Sequence, residues 1–308
     1  MRRAAYRIPF WATIGEASAV PFRNFRTLAR FAWPWLLALL VAEAALAWFY
    51  FPYRSADAAL AAHDMAGFAV RETAAALVTM VISLILGSIV AVSWHRFLLL
   101  GEQPSAHKSH AKPISAYTLR SAVITLLVLA PLLIVGALIA SMPDPGALAT
   151  DLNVPAVDEA TAAASAALDQ VDETAAANPW MCAVCVGLAI IVGLPIIALI
   201  SYVPTRFSLS LPATALGSSE RSFASAWRLS RSNVWRLMWG GLLVSWPCFA
   251  VMAISMALWG GDMVETRAMY VGNAVLIAAV SFATGILWVG FLSIAYRRLT
   301  AAHSSVTN

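Results

Sequence analysis

The chain has 308 residues, of which 61% are apolar and only 12% charged, with a formal net charge of +4. Soluble domains carry about twice that charged share, so an ordinary water-soluble fold is excluded. Nucleic-acid binding is not implied either, because the basic residues flank apolar runs, where they set orientation in a bilayer.

A spanning helix needs ~20 predominantly apolar residues to cross a ~30 Å hydrocarbon core. Six runs qualify: Ala32–Phe51, Ala74–Trp94, Ser121–Ser141, Trp180–Tyr202, Leu237–Trp259 and Val271–Tyr296. They lack the alternation of barrel strands and are too long for them. The predicted fold is therefore all-α, a polytopic membrane bundle of six transmembrane helices forming one domain over 1–308. Residues 1–31 form an N-terminal segment, 32–141 spans one to three, and 142–178 an outer loop. Spans four to six occupy 179–297 and a tail 298–308.

The N-terminal segment carries Arg2, Arg3, Arg7, Arg23, Arg26 and Arg30 and is too long for the n-region of a cleaved signal. Its stretch Glu16–Arg30 mixes Phe22, Phe25 and Leu28 with arginine, as an interfacial helix does. Span one contains Glu43, the sole acid inside any predicted span and near its middle. A carboxylate at the bilayer centre costs ~2.5–3.5 kcal/mol or more, so it must face the bundle. Its expected partners are hydroxyls such as Thr79, Ser83, Ser88, Ser245 or Thr284. Glu43 is a candidate polar site for a substrate or proton, or alternatively one half of an interhelical hydrogen bond.

Beyond span two lie His95, His107, Lys108 and His110, which read as a solvated basic loop. The outer loop Met142–Asn178 has seven acids and no Lys or Arg. Its spacing of Val157, Ala164, Leu168, Val171 and Ala175 allows a short helix, and its composition equally allows a disordered spacer. Cys182 and Cys185 form a C-x-x-C on span four. Redox use needs a fitting fold context that no preceding strand supplies, and packing is the favoured role. Cys248 reads as core. With three cysteines in all, no disulfide framework is expected.

The segment 220–236 again reads as an interfacial helix, with Phe223, Ala226, Trp227 and Ser230 on one face and Arg221, Arg228 and Arg231 off it. Together with the N-terminal segment it suggests a repeat of surface helix, span, outer loop and span. Pro131, Pro195 and Pro247 are expected to kink their spans. The stripes Ser83/Gly87/Ala91, Gly136/Ala140 and Ser281/Gly285 are expected to bring helices into close contact, within the chain or between copies.

Seventeen of the 20 Lys/Arg fall on one set of connections, and 12 of the 16 Asp/Glu on the other or in its loops. The positive-inside rule places the basic set, and both termini, in the cytoplasm. With 18 Arg against 2 Lys, the composition fits a GC-rich bacterium and hence its cytoplasmic (inner) membrane.

The string Ser222–Leu243, which follows FSLSLPATALG (Phe207–Gly217), contains Ser222, Phe223, Ala226, Trp227, Ser230, Asn233, Trp235, Arg236 and Leu237. With WHRFLLLGE (Trp94–Glu102), it resembles an uncharacterised bacterial family of six-helix membrane proteins. That family is related to the membrane domain of glycerophosphoryl diester phosphodiesterases. The chain has no room for their catalytic barrel of ~250 residues. The resemblance implies a membrane module and transfers no activity.

No Gly-rich phosphate loop, catalytic triad, HExxH or paired-carboxylate motif stands out. No cofactor or metal is expected, and the chain reads as a non-catalytic module. It would bind membrane lipids, anionic headgroups in particular, or a soluble or membrane partner, through Arg206, Arg221, Trp227, Arg228, Arg231, Trp235 and Arg236. Guanidinium suits phosphate. The alternative is a small transporter for a lipid-like or weakly polar substrate that uses Glu43.

Overall fold

The computed structural model describes residues 6–50, 65–103, 111–140, 200–218, 222–259 and 267–307. Every regular element among them is an α-helix: α1 Phe10–Arg23, α2 Phe25–Tyr50, α3 Met65–Leu100, α4 Ala111–Ala140, α5 Ser210–Ala215, α6 Phe223–Ser230, α7 Val234–Trp259 and α8 Arg267–Thr307. Residues 200–208 are also helical. Two compact units are formed, one of Met1–Thr125 with Pro204–Asn308, the other of Leu126–Val203. In the second, the described part of α4 continues through Pro131 and exposes Leu126 and Leu133.

Five helices are long and apolar enough to cross a bilayer: α2, α3, α4, α7 and α8. They match the first, second, third, fifth and sixth predicted spans. The fourth falls almost wholly outside the described residues, as do the outer loop, Cys182, Cys185, Pro195, Arg221, His107, Lys108 and His110. At most 33% of the most apolar window of any of these five helices is buried inside the chain. Their outward faces, including Leu37, Val41, Val78, Val81, Ile85, Trp246 and Ile254, therefore require a lipid solvent.

The helices overrun the predicted spans. α3 has 36 residues and α8 has 41, about 54 and 62 Å at ~1.5 Å per residue, well beyond the hydrocarbon. The tail predicted from 298 onward is helical to Thr307, because Leu299, Thr300, Ala301 and Ala302 carry no breaker. Two glycines act as stops. Gly101 ends α3 at φ 69°, and its amide bonds Phe97 O. Gly217 ends α5 at φ 68°, with Gly217 N–H on Thr214 O and Ser218 N–H on Ala213 O, a Schellman closure.

Of the two predicted surface helices, the first lies further toward the N-terminus than the sequence suggests and the second is shorter. The N-terminal one is α1, and the chain breaks at Asn24, whose side-chain amide and backbone N–H both bond Val20 O. The spanning helix α2 then starts at Phe25 instead of Ala32. The second surface helix, α6, ends at Ser230, and α7 already begins at Val234. At both junctions an Asn carbonyl accepts the amide of a buried Leu four residues on, Asn24 from Leu28 and Asn233 from Leu237. The matching junctions agree with the repeat read from sequence.

Within the chain, close contact between helices does not come from the stripes at Gly87 and Gly285. A Cβ added at Gly87 or Gly285 meets nothing within 4 Å. The intimate contact is instead α7 on α8. A Cβ at Gly240 would lie 2.5 Å from the Phe291 ring and one at Gly241 1.7 Å from the Trp288 ring. Gly241→Ala is therefore expected to cost about 1–3 kcal/mol through overpacking, whereas Gly87→Ala and Gly285→Ala leave stability unchanged or slightly raised. Thermal unfolding of the three variants in one mild detergent checks this; equal midpoints would contradict the assignment.

Candidate functional site

Two places in the first unit gather polar side chains: a collar at one end of the bundle and a cavity among its helices.

The collar begins with the chain's first described residues. Asn233 is 1% exposed. Its Oδ1 accepts from Ile8 N–H at 2.9 Å and its Nδ2 donates to Tyr6 O at 2.9 Å. Arg236 donates to Ile8 O. The extended segment Tyr6–Ile8 is thus bonded along its backbone to the start of α7. α1 then packs on α8 through Ala17, which is fully buried. Its Glu16 pairs with Arg297 and, at 2.6 Å, with Arg298, and Arg298 also donates to Thr13 Oγ1 at 3.0 Å.

The stretch Phe207–Gly217, which sequence leaves as a connection, is the most deeply buried part of the collar: Leu209, Ser210, Leu211, Ala213, Thr214 and Ala215 are all buried. Arg96 at the end of α3 holds Glu102 through two bonds of 2.7 and 2.8 Å, and donates to Ala215 O at 3.1 Å.

Arg206 is itself buried. Its guanidinium lies 3.6 Å from the centre of the Trp227 ring and donates to Trp227 O at 2.6 Å and Ser230 Oγ at 3.2 Å. It fastens α6 from below. Ser222 caps that helix by accepting from Ser225 N–H, and Phe223 packs on Phe207. Trp227, Arg228, Arg231 and Trp235 remain exposed, and Arg236 is half-buried against Ile8. Of the residues expected at a headgroup or partner surface, the structure therefore brings Trp227, Arg228, Arg231 and Trp235 to the outside and turns Arg206 and Arg236 inward. Trp11, Phe22, Arg23, Phe25 and Arg26 of α1 and α2 are exposed as well.

Below the collar lies His95, fully buried and missed as a structural residue because it was read with a solvated loop. Its Nδ1 is 2.7 Å from Ser293 Oγ and its Nε2 3.3 Å from Tyr117 OH. Ser293 Oγ also donates to Val289 O. One tautomer satisfies the whole set: Tyr117 donates to Nε2, and Nδ1–H donates to Ser293. The triad ties α3, α4 and α8 together without a net charge. Trp94 beside it is stacked on Phe97 and Phe31.

The cavity, about 720 Å³, is lined by α2, α3, α4, α5 and α8. One end is polar. Glu43 is 8% exposed and accepts from Thr79 Oγ1 at 3.2 Å through Oε2, while its buried Oε1 has no hydrogen-bond partner. Ser83, Tyr270 and Asn273 line the same region, with Asn273 accepting from Ser255 at 2.6 Å. Ser83, Gly87, Ser281 and Gly285 form its walls, and Trp94, Tyr117 and Trp288 its far end. The small-residue stripes thus hold space open instead of closing it. Glu43 sits seven residues from the end of α2, about 10 Å in. Of its expected partners, Thr79 is the one that bonds it. Among the described residues no group of His, Cys, Asp and Glu is arranged to hold a metal.

Comparison with family models, with curated proteins and with solved structures found no match.

Asn233→Ala is expected to strand the Ile8 amide and to remove the amide donor to Tyr6 O, at a cost of about 1–3 kcal/mol. Limited trypsin digestion of the folded protein should then cut at Arg7 many times faster than in the parent. Unchanged cleavage would show that the segment is held by something else.

Proposed function

We propose that the chain is an integral protein of the bacterial cytoplasmic membrane, with both ends inside, acting as a non-catalytic module that binds anionic lipid headgroups. The observation that carries this is the sorting of arginines at the collar. Arg96, Arg206 and Arg298 are used up in fixing the collar itself. Arg23, Arg26, Arg228 and Arg231 stay exposed beside Trp11, Phe22, Phe25, Trp227 and Trp235. Aromatic rings at the acyl boundary with guanidinium groups beside them are what an anionic leaflet accommodates. The excess of basic residues on these connections supports the cytoplasmic side. The resemblance to the six-helix family is in keeping with a module of this kind.

A second reading, a carrier for a lipid-like substrate, has the Glu43 cavity in its favour. Loss of uptake by Glu43→Gln in proteoliposomes, with Arg228→Gln and Arg231→Gln silent, would move the weight to it.

The first reading is tested on the full chain in nanodiscs of equal phosphatidylglycerol and phosphatidylcholine, by native mass spectrometry of the lipids that stay bound. The parent should retain phosphatidylglycerol preferentially. Replacing Arg228 and Arg231 by Gln should lower that preference by about fivefold per residue, since each contributes ~1 kcal/mol beside an anionic surface. An unchanged preference would overturn the proposal.

A further inference from the structure

Besides the collar surface, and independently of it, we propose that the cavity of the first unit is a binding site for a long-chain amine: a single apolar tail carrying a cationic, hydrogen-bond-donating head that pairs with Glu43.

The polar end selects the head. Glu43 is buried, one of its oxygens is bonded by Thr79, and the other has no hydrogen-bond partner among the described residues. A buried carboxylate oxygen without a donor is costly, and a ligand that supplies one recovers that cost. Among the described residues no Lys or Arg lines the cavity, so a cationic ligand complements Glu43 there. An acidic head would place like charges together.

The walls select the tail. From Thr79 to Trp94 along α3 is 15 residues, about 22 Å, and over this length α3 and α8 present Gly87, Ala91, Ala278 and Gly285 to the cavity. Empty apolar space of this size loses contact energy on every side. The volume lies in the ~300–1,000 Å³ range of small-molecule sites. The ring of Trp288, which rests against Gly241, and that of Trp94 close the far end. The carboxylate of Glu43 at one end and the bulky rings at the other set the ligand's direction, with the head at Glu43 and the tail towards the aromatic end.

The full chain is reconstituted in phosphatidylcholine nanodiscs with hexadecylamine or, separately, palmitic acid, and the bound species is read by native mass spectrometry. The parent should retain the amine at least about tenfold over the acid, the strength of one hydrogen bond to a charged group. Glu43→Gln should abolish that preference while still holding some of both. Gly87→Leu puts a side chain into open space, so it should fold normally and retain neither; Gly285→Leu repeats the steric test from the opposite wall should the first variant fail to fold. Equal retention of amine and acid by the parent, or full retention of the amine by a folded wall variant, would overturn the proposal.

Discussion

The bonding of Asn233 and Arg236 to the backbone of Tyr6–Ile8 is the contact on which the rest of the described structure depends. Backbone groups near a bilayer cannot be left to water that is scarce there, and each must find a partner in the protein. An extended segment has no partners of its own. By accepting from Ile8 N–H and covering the carbonyls of Tyr6 and Ile8, the α6–α7 junction lets the chain enter from an irregular segment and launch α1 across α8. The Glu16 pairs with Arg297 and Arg298 and the burial of Ala17 follow from that placement. Arg206 does the same service for α6, trading an aromatic stack and two hydrogen bonds for its hydration. The basic residues of such a chain thus divide into those that hold the protein together and those left over for a lipid surface.

The glycines divide the same way. Gly240 and Gly241 admit two aromatic rings and fix how α7 meets α8. Gly87 and Gly285 admit nothing, and the space beside them is the cavity. Tight contact on one face of α8 and open volume on another make the cavity a feature of packing, since Trp288 is braced by α7 while facing the void. The carboxylate at its polar end lies some turns from the collar, so headgroup contact and occupation of the cavity are separable events.

Much of this was legible in the sequence. The apolar runs located five spanning helices, because burial in lipid demands length and hydrophobicity above all. Their ends were less legible: α8 runs on through Thr307 since helix continuation depends on the residues past the membrane, and no Gly or Pro halts it there. Glu43 was found because an acid among apolar residues stands out in one dimension. The roles of Gly87 and Gly241 were not, since both read as small residues, and only the bulk opposite each decides between a gap and a contact. His95 was hidden by its basic neighbours, although its partner Ser293 lies on the sixth predicted span and Tyr117 just before the third. The string Ser222–Leu237 drew notice as a possible binding motif. Most of its distinctive residues, Ser222, Ala226, Ser230, Asn233 and Leu237, prove to be caps, clamps and core, a distinction that residue type alone cannot make.

The proposed orientation, with the basic, aromatic collar on the cytoplasmic side and the α2–α3 connection on the other, can be tested by the side from which each is reached. In a variant with Cys182, Cys185 and Cys248 replaced by Ala, a single cysteine is placed at Arg231 in the collar or at Ala58 between α2 and α3. Each is then exposed in intact cells to a membrane-impermeant maleimide. The expected result is labelling of Ala58→Cys in intact cells, with Arg231→Cys labelled only after the membrane is opened. Labelling of Arg231→Cys from outside would place the collar on the wrong leaflet and contradict the proposed function at its root.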